Sequence, residues 1–494
     1  MTMMCTSLLR LVIPKRLSSP SPLLVAPVLR RHVSTQHYDV VIVGGGVVGS
    51  ACAKLLEERC GPSMSIALLE QSPAAAPNSS SRSIIPHPRS YALSPKSMEL
   101  LNVVNGIPDK LGHYKSMQIW EQQSPGMLVF TADDLPNHHD CSLGACVEDA
   151  VLVEFLHSSL QSTVLYRGEM LQSLQQDTSS STTTIQTNNR CLTTSLVIAA
   201  DGGNSWVRQR LGIPWLGWDY GRTALTCTVE LQQPMPLRAF QRFLPNGPMA
   251  LLPTYSPHHA VVVWSTTPEL AKKYQECDNT DLLVDLVNST LQVGPQRPEP
   301  LFESTILSSS LLVQNVLYGM ERLVDTVHYG LAMRHWTDYH DTGFMAPPKV
   351  ATVISPRMTF PLSCRHVSSY IGSSTSTINK DNNNNIRFAL VGDAAHMVHP
   401  MAGQGLNLGL EDVDVLSRTI EKAHGSGMEL STFLSEYNSQ RKQVVQMKLA
   451  GMHLLHQVFA AESTVWKHAK SVGMQVVNQV TPIRTKLASV AAGF

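Results

Sequence analysis

The sequence predicts an α/β fold: a parallel sheet with crossover helices, assembled from separated stretches of chain, joined to an α+β portion on a mostly antiparallel sheet, with helices at the C-terminus. Three observations predict it. Apolar runs at residues 40–43, 196–200 and 388–391 each end at a glycine or Asp-Gly turn and lead into helical periodicity. Runs that are apolar on both faces belong to parallel sheets covered on both sides. Between residues 220 and 360 that pattern stops, and strand-like segments such as 223–230 and 260–264 take over.

The first 37 residues read as an address. No acidic residue occurs in residues 1–38, whereas Arg10, Lys15, Arg16, Arg30 and Arg31 are basic and serines are interspersed. Leu8, Leu9, Leu11, Val12 and Ile13 can form one apolar helical face. This is the composition of a mitochondrial transit peptide, and Pro14, Pro20 and Pro22 break the apolar core that a secretory signal needs.

The first βαβ unit follows. Residues 38–43 read as a buried strand and 50–56 as helix, with Gly44, Gly46 and Gly49 between them as G-x-G-x-x-G. The first glycine permits the tight turn, the second lets a pyrophosphate approach, and the third lets helix and strand pack closely. Residues 65–69 are the next strand, and Glu70 closes it, 21 residues after Gly49. There a carboxylate hydrogen-bonds an adenosine ribose hydroxyl and repels a ribose phosphate. Beyond a Pro/Ser-rich loop, Ser94 is a candidate N-cap with Pro95 at the first helical position. Arg89 sits over a pyrophosphate or near a ring, or is an ordinary surface arginine. Residues 143–156 start with the acidic pair Glu148-Asp149 and continue with helical periodicity, and 175–190 reads as a hairpin tip or variable loop. Residues 195–200 form a further strand, ending at Asp201-Gly202, with a helix opening from Asn204.

The third apolar run ends at Gly392-Asp393, where an aspartate at a strand's carboxyl end can accept hydrogen bonds from ligand hydroxyls. The loop Pro400-Met401-Ala402-Gly403-Gln404-Gly405 carries little side-chain bulk and feeds a helix from Leu406. Backbone N–H groups in such a loop and at a helix N-terminus suit a flat, electron-rich ligand. The redox edge of a flavin fits there.

Taken together, these stretches resemble the three fingerprints of the class A flavoprotein aromatic hydroxylases, the p-hydroxybenzoate hydroxylase-like monooxygenases. Gly44, Gly46, Gly49 and Glu70 resemble the ADP-binding motif of FAD. Asp201 through Arg208 resembles D-G-x-x-S-x-V-R, and Gly392-Asp393 the motif whose aspartate holds the flavin ribityl chain. The family's substrate-side loop falls on Pro400 to Gly405, with Leu406 and Asn407 near the pyrimidine edge. Residues 242–253, Val263-Trp264-Ser265, Phe360-Pro361-Leu362 and 399–405 are similar, more narrowly, to the ubiquinone-biosynthesis monooxygenases, and the leader points to their mitochondrial members. Three departures stand out: Arg222 where that group has an amide, Glu148-Asp149 for a Glu-Asn pair, and an Asn-rich insertion at residues 375–385.

The resemblance implies a division into a transit peptide (1–37), a discontinuous Rossmann-like FAD-binding domain (38–215 and 361–430), a substrate domain (216–360) and a C-terminal helical region (431–494). It also implies hydroxylation through a flavin hydroperoxide at ring C5 of 3-polyprenyl-4-hydroxybenzoate. A later step at C1 of 2-methoxy-6-polyprenylphenol is a further option. Electrons would come from ferredoxin and its reductase, dioxygen would be the co-substrate, and other coenzyme Q biosynthesis proteins would be partners in a complex. The residues themselves offer neither a Ser-His-Asp set nor a metal constellation. His396 and His399 share no face and no carboxylate completes a ligand set with them, so they read as loop-packing residues, with His399 a candidate neighbour of the flavin. No catalytic side chain is therefore named beyond the loop Pro400, Gly403 and Gly405, which suits cofactor-driven chemistry. Phe243, Met249, Leu251 and Trp264 could roof a substrate pocket, although core packing is the commoner role for such residues.

Composition narrows the rest. Lys+Arg and Asp+Glu are both 38, which gives no basic footprint for nucleic acid. Nine cysteines, an odd number without a CxxC pair, fit reduced thiols rather than a disulfide framework or zinc site. No run of about 20 apolar residues suggests a membrane span. A polyprenyl tail, at ~0.8 kcal/mol per buried CH₂, must still pass from a membrane or carrier to the enzyme. From residue 440 the only acid is Glu462, against seven basic residues, with Val444, Met447, Gly451, Leu454, Leu455, Val458 and Phe459 at helical spacing. That tail either contacts the matrix face of the mitochondrial inner membrane, or a partner there, or packs on the protein's own core. Two competing functions remain: a hydroxylase of another substrate reduced directly by NADPH, and a non-catalytic scaffold carrying a prenylated lipid.

Overall fold

In the computed structural model, residues 35–73, 85–103, 108, 110–122, 126–135, 142–176, 182–296, 343–372, 386–398, 404–460 and 464–493 are described. The strand Gln36–Val43 lies at the centre of a seven-stranded sheet, flanked in parallel by Ile66–Glu70 and Cys191–Ala199. Val164–Arg167 continues the sheet in parallel on one side, and Phe388–Leu390 pairs with the C-terminal half of Cys191–Ala199 on the other. The N-terminal half of Cys191–Ala199 instead pairs antiparallel with a hairpin, Leu171–Gln176 and Thr183–Thr187.

Register decides what this sheet can do. Val43 lies opposite both Leu69 and Ala199, and Ala199 lies opposite Leu390. Four parallel strands therefore stop in one row. The residues that follow (Glu70, Gly44, Asp201 and Gly392) gather at a single edge. In open parallel sheets this carboxyl edge is where ligands bind.

Sterics keep that edge open. Gly44 has φ +106°, and a β-carbon there would collide with the Ala200 carbonyl. A β-carbon on Gly49 would strike the Gly44 carbonyl, so only glycine lets the Val47–Cys60 helix sit against the strand end. The same helix meets Gln404–Gly425 through small residues: a side chain at Gly409 would press on Val48 and on Gly392. Arg59 then pins the two helices together through Asp414 Oδ1 at 2.5 Å.

A nine-stranded sheet forms the second layer. Its order is His396–Met397, Met358–Val367, Trp215–Leu231, His259–Thr266, Met249–Pro253, Arg238–Phe243, Ser116–Glu121 and Met127–Thr131, with Val350–Val353 also on Trp215–Leu231. Neighbours run antiparallel except Arg238–Phe243 with Ser116–Glu121. Helix Asp281–Leu291 buries Leu283, Val287 and Leu291 against Trp120, Leu225, Phe240, Leu251 and Val262 of this sheet. Phe243, Met249 and Trp264 are buried with them, so the four candidate roof residues all lie in the core.

Two local readings are corrected. Residues 144–148 are not helical: Gly144–Glu148 is a strand between Ser90–Leu93 and Gly112–Tyr114, and the helix Asp149–Ser159 starts at the acidic pair. The hairpin Ser116–Glu121/Met127–Thr131 also belongs to the nine-stranded sheet, although it lies within the stretch read from sequence as nucleotide-binding. Its partner strand starts more than 100 residues later, a pairing that periodicity cannot reveal.

Three C-terminal helices, Leu434–Ala460, Thr464–Gln479 and Thr481–Ala492, return across both layers. Tyr437 donates to the Leu390 carbonyl at 2.7 Å, Lys470 meets Glu121 at 2.5 Å and Arg484 meets Asp134 at 2.7 Å. Gly44→Ala is expected to destabilise the protein by more than about 2 kcal/mol in a denaturant titration, because strain at positive φ adds to a backbone collision. A loss below about 0.5 kcal/mol would show that the turn relaxes freely.

Candidate functional site: a crevice at the strand ends

The glycine turn shapes one end of the crevice. Gly46, the N-cap residue of Val47–Cys60, is exposed, and a β-carbon built there meets nothing within 4 Å. The other two fingerprint glycines are filled by protein, so the open space faces outward from Gly46 alone. An anion there meets free N–H groups of the helix N-terminus. Glu70 is held beside it: Oε2 accepts from Gly45 N and Oε1 from Ser72 N, both at 2.7 Å. His157 Nε2 lies 2.9 Å from the Gly45 carbonyl, and Arg167 lies 2.7 Å from His157 Nδ1. Burial, and then Arg167, push the His157 imidazole below its usual range. His157 is a contact that the sequence gave no sign of.

The Asp201 turn closes the floor. Asp201 Oδ2 accepts from Val207 N at 3.1 Å, whereas Oδ1 is buried without a hydrogen-bond partner. Burial raises the Asp201 carboxyl, opposed by Ser205 and the helix N–H groups. Ser205 caps Trp206–Arg210 by accepting from Arg208 N. The Arg208 guanidinium is buried, stacks on Trp215 at 3.9 Å, and donates to the Gly203 carbonyl at 3.0 Å and the Ala394 carbonyl at 3.3 Å. One side chain thus joins the second motif to the third.

Asp393 occupies the third motif. Gly392 has φ +58°, which turns the chain sharply after the strand. Asp393 is exposed to solvent although both neighbours, Gly392 and Ala394, are buried. A carboxylate that is accessible yet walled in by protein lies in an open concavity. The surrounding protein raises the Asp393 carboxyl, His396 and Arg89 pull it back, and Asp412 adds to the rise. Arg89 is thus within electrostatic reach of Asp393. It also pairs with Asp149 Oδ2 at 3.5 Å, and Tyr91 donates to Asp149 Oδ1 at 2.9 Å.

The helix Gln404–Gly425 supplies the far wall. Pro400 and Gly403, with His399, lie outside the described residues. Gly405 is the second residue of the helix, with Val398 3.6 Å from a β-carbon built on it, and Leu406 is buried in the core. The Asn407 amide bridges to another element: it accepts from Ser94 N and donates to the Ala92 carbonyl, both at 2.9 Å. Its side chain thus braces the strand that leads from Arg89 to Ser94.

His396 is buried, and its Nε2 lies 2.6 Å from Asp412 Oδ2, a contact that the sequence reading does not name. Asp412 also accepts from Gly392 N at 2.9 Å and from Arg441 Nε at 2.7 Å. Burial alone would raise the Asp412 carboxyl, but His396 and Arg441 hold it below its ordinary value. The one available signal was an acid within the apolar face Leu408, Leu410 and Val413; nothing marked Arg441. Among the described residues, no group of three or more His, Cys, Asp or Glu could hold a metal ion.

The donor set fits FAD: an open N–H-lined turn for a pyrophosphate, a fixed carboxylate for a ribose, and an accessible carboxylate across the crevice for a polyol. Comparison with known proteins gives the same answer. The chain matches the family model described as FAD binding domain over residues 37–300 and 369–450, more than half its length. Its curated relatives include "Ubiquinone biosynthesis monooxygenase COQ6, mitochondrial" of Xenopus tropicalis, 29% identical, covering 92% of this chain and 93% of that protein. The Homo sapiens protein of the same name is 29% identical, with 92% of each covered. Among solved structures, p-nitrophenol 4-monooxygenase PnpA of Pseudomonas putida has a TM-score of 0.63 at 14% identity, covering 92% of this chain and 97% of that one. Pseudomonas aeruginosa PqsL has a TM-score of 0.59 at 19% identity, covering 89% and 99%. At those identities the structures speak for the fold alone.

A raised carboxyl carries a stability consequence. When the folded-state pKa lies above the unfolded one, the ionised form costs stability at neutral pH. That cost is relieved as pH falls through the raised value. Asp393→Asn is therefore expected to raise the melting temperature of the apoprotein at neutral pH, with the gain shrinking toward acid. The same change should weaken FAD binding by about 10–100-fold, the loss of a charged hydrogen bond. FAD titration of both apoproteins measures the second effect, and unchanged affinity would remove Asp393 from the site.

Proposed function

This chain belongs to the FAD-binding domain family, and on that footing we propose that it is an FAD-dependent monooxygenase of ubiquinone biosynthesis. The observation that carries this reading is the aligned row of strand ends that brings the Gly44–Gly46 turn, Glu70 and the Gly392–Asp393 turn to one sheet edge, in a chain whose relatives of that name align along 92% of it. The substrate is a polyprenylated 4-hydroxybenzoate, hydroxylated at ring C5, with C1 of a 2-methoxy-6-polyprenylphenol as a further position. Bound FAD supplies the activation of dioxygen and the transfer of one oxygen atom to an electron-rich ring carbon beside a phenol hydroxyl.

The chain's own residues bind and orient. Gly46 admits the pyrophosphate, Glu70 takes the adenosine ribose, and Asp393 takes the ribityl hydroxyls, with Arg89 as the nearby cation. Arg208 and Asn407 act from behind: Arg208 holds the Asp393 turn, and Asn407 holds the strand after Arg89. Electrons arrive from ferredoxin and its reductase.

An enzyme for a prenylated ring works at a lipid surface, here the matrix face of the mitochondrial inner membrane. Among the described residues no helix is long and apolar enough to cross a membrane. On Thr481–Ala492 and the residue before it, Val480, Ile483, Leu487 and Val490 are exposed at spacings of three and four, one continuous apolar stripe. Charge contributes less than composition suggests, because Arg441, Lys448, Lys470 and Arg484 are engaged internally by Asp412, Glu411, Glu121 and Asp134.

Cells lacking the protein should accumulate the prenylated ring precursor without the C5 hydroxyl, read by mass spectrometry of extracted lipids. Accumulation of an intermediate that already carries that hydroxyl would contradict the assignment. In liposome flotation, Ile483→Glu/Leu487→Glu should lose most lipid binding while retaining FAD; undiminished flotation rules the stripe out.

A further inference from the structure

Asp412 sits in the Gln404–Gly425 helix and is fully buried, with both carboxylate oxygens in use. Its three donors come from three parts of the fold. Gly392 N ends the Phe388–Leu390 strand of the seven-stranded sheet, and it is the amide next to Asp393. His396 Nε2 belongs to the His396–Met397 strand, which pairs with Arg365 and His366 at the end of the nine-stranded sheet. Arg441 Nε comes from Leu434–Ala460, and the same guanidinium also reaches the Leu408 carbonyl at 3.2 Å and Glu411 Oε2 at 3.1 Å.

We propose that Asp412 is a positioning residue for bound FAD, coupling the edge of the nine-stranded sheet to the Gly392–Asp393 turn. The inference rests on the reading that Asp393 holds the ribityl chain. Its physical basis is leverage. Gly392 N and the Asp393 carboxylate share a short turn, so the peptide orientation that Asp412 selects also aims that carboxylate. A fully buried ion network is seldom the most stable way to fill such a volume; apolar replacements are often as stable or more so. What the network does provide is direction, because a carboxylate with both oxygens committed to charged or backbone donors has one orientation. His396 Nδ1 is buried without a hydrogen-bond partner among the described residues, so the Nε2 bond to Asp412 is the polar link from this imidazole. A displacement of the sheet edge at His396–Met397 would therefore reach the Gly392–Asp393 turn through Asp412.

The full-length protein tests this with His396→Leu, which removes the donor, and His396→Gln, which keeps an N–H at a similar reach. FAD affinity is measured by titration of the apoproteins. The change in the visible flavin spectrum on adding 4-hydroxybenzoate with a short prenyl chain is then recorded. His396→Leu is expected to weaken FAD at least tenfold and to abolish the ligand-induced spectral change while still binding the ligand. His396→Gln is expected to stay within about threefold and keep the change. A merely structural brace would lower the melting temperature yet leave FAD affinity and the spectral change as in the wild type, and that result overturns the proposal. Should His396→Leu fail to fold, Arg441→Lys, which keeps a cation on Asp412 but gives up the Leu408 contact, is expected to weaken FAD at least threefold; unchanged affinity there also overturns it. Asp393→Ala serves as control: if it too binds FAD normally, the ribityl reading fails, whatever His396 does.

Discussion

The Gly392–Ala394 turn is clasped from two sides, and the crevice depends on that clasp. Arg208 draws the Ala394 carbonyl toward the Asp201 turn, while Asp412 accepts the Gly392 amide from the helix behind. Both side chains are buried, and both are charged. A buried charge is tolerated only where its hydrogen bonds are made, so each fixes its partner's position closely. Loosen either one and the third strand's end is free to move relative to the first two. The aligned row of strand ends would then no longer present Glu70 and Asp393 to the same ligand.

That arrangement explains why the crevice is chemically spare. Around the strand ends it offers backbone N–H groups, the Glu70 and Asp393 carboxylates and the Arg89 guanidinium, with Arg208 and Asp412 buried beneath. Steric exclusion is done by glycine at Gly44 and Gly49, and openness by glycine at Gly46. The raised carboxyls at Asp201 and Asp393 are stability given up at the strand ends, as is common where a ligand binds. Binding energy from the dinucleotide then stabilises the fold by linkage, which makes the holoprotein the natural working state.

Much of this was legible in the sequence because the causes are local. A G-x-G-x-x-G turn, a strand-terminal acid and an Asp-Gly or Gly-Asp turn each encode a backbone shape within a few residues, and Gly44, Glu70, Asp201 and Gly392 stand where those shapes require. The helix Asp281–Leu291 follows from its own periodicity in the same way. What was hidden is non-local. Arg441 reaches Asp412 across 29 residues, and strand Ser116–Glu121 finds its parallel partner only at Arg238–Phe243. Gly144–Glu148 is hard to read as strand because a short apolar run has no period that distinguishes it from helix. The His396–Asp412 contact is hidden because the carboxylate lies on a different element, 16 residues on. Basic residues in the tail suggested a lipid-facing charge, but several are bound internally, a fact that composition cannot carry.

The most direct measurement is the position of FAD in an experimentally determined structure of the loaded protein. The account predicts the adenosine ribose within hydrogen-bond distance of Glu70, the pyrophosphate over Gly46 and the ribityl hydroxyls on Asp393. A dinucleotide bound elsewhere, or one whose ribityl chain runs away from Asp393, would contradict it.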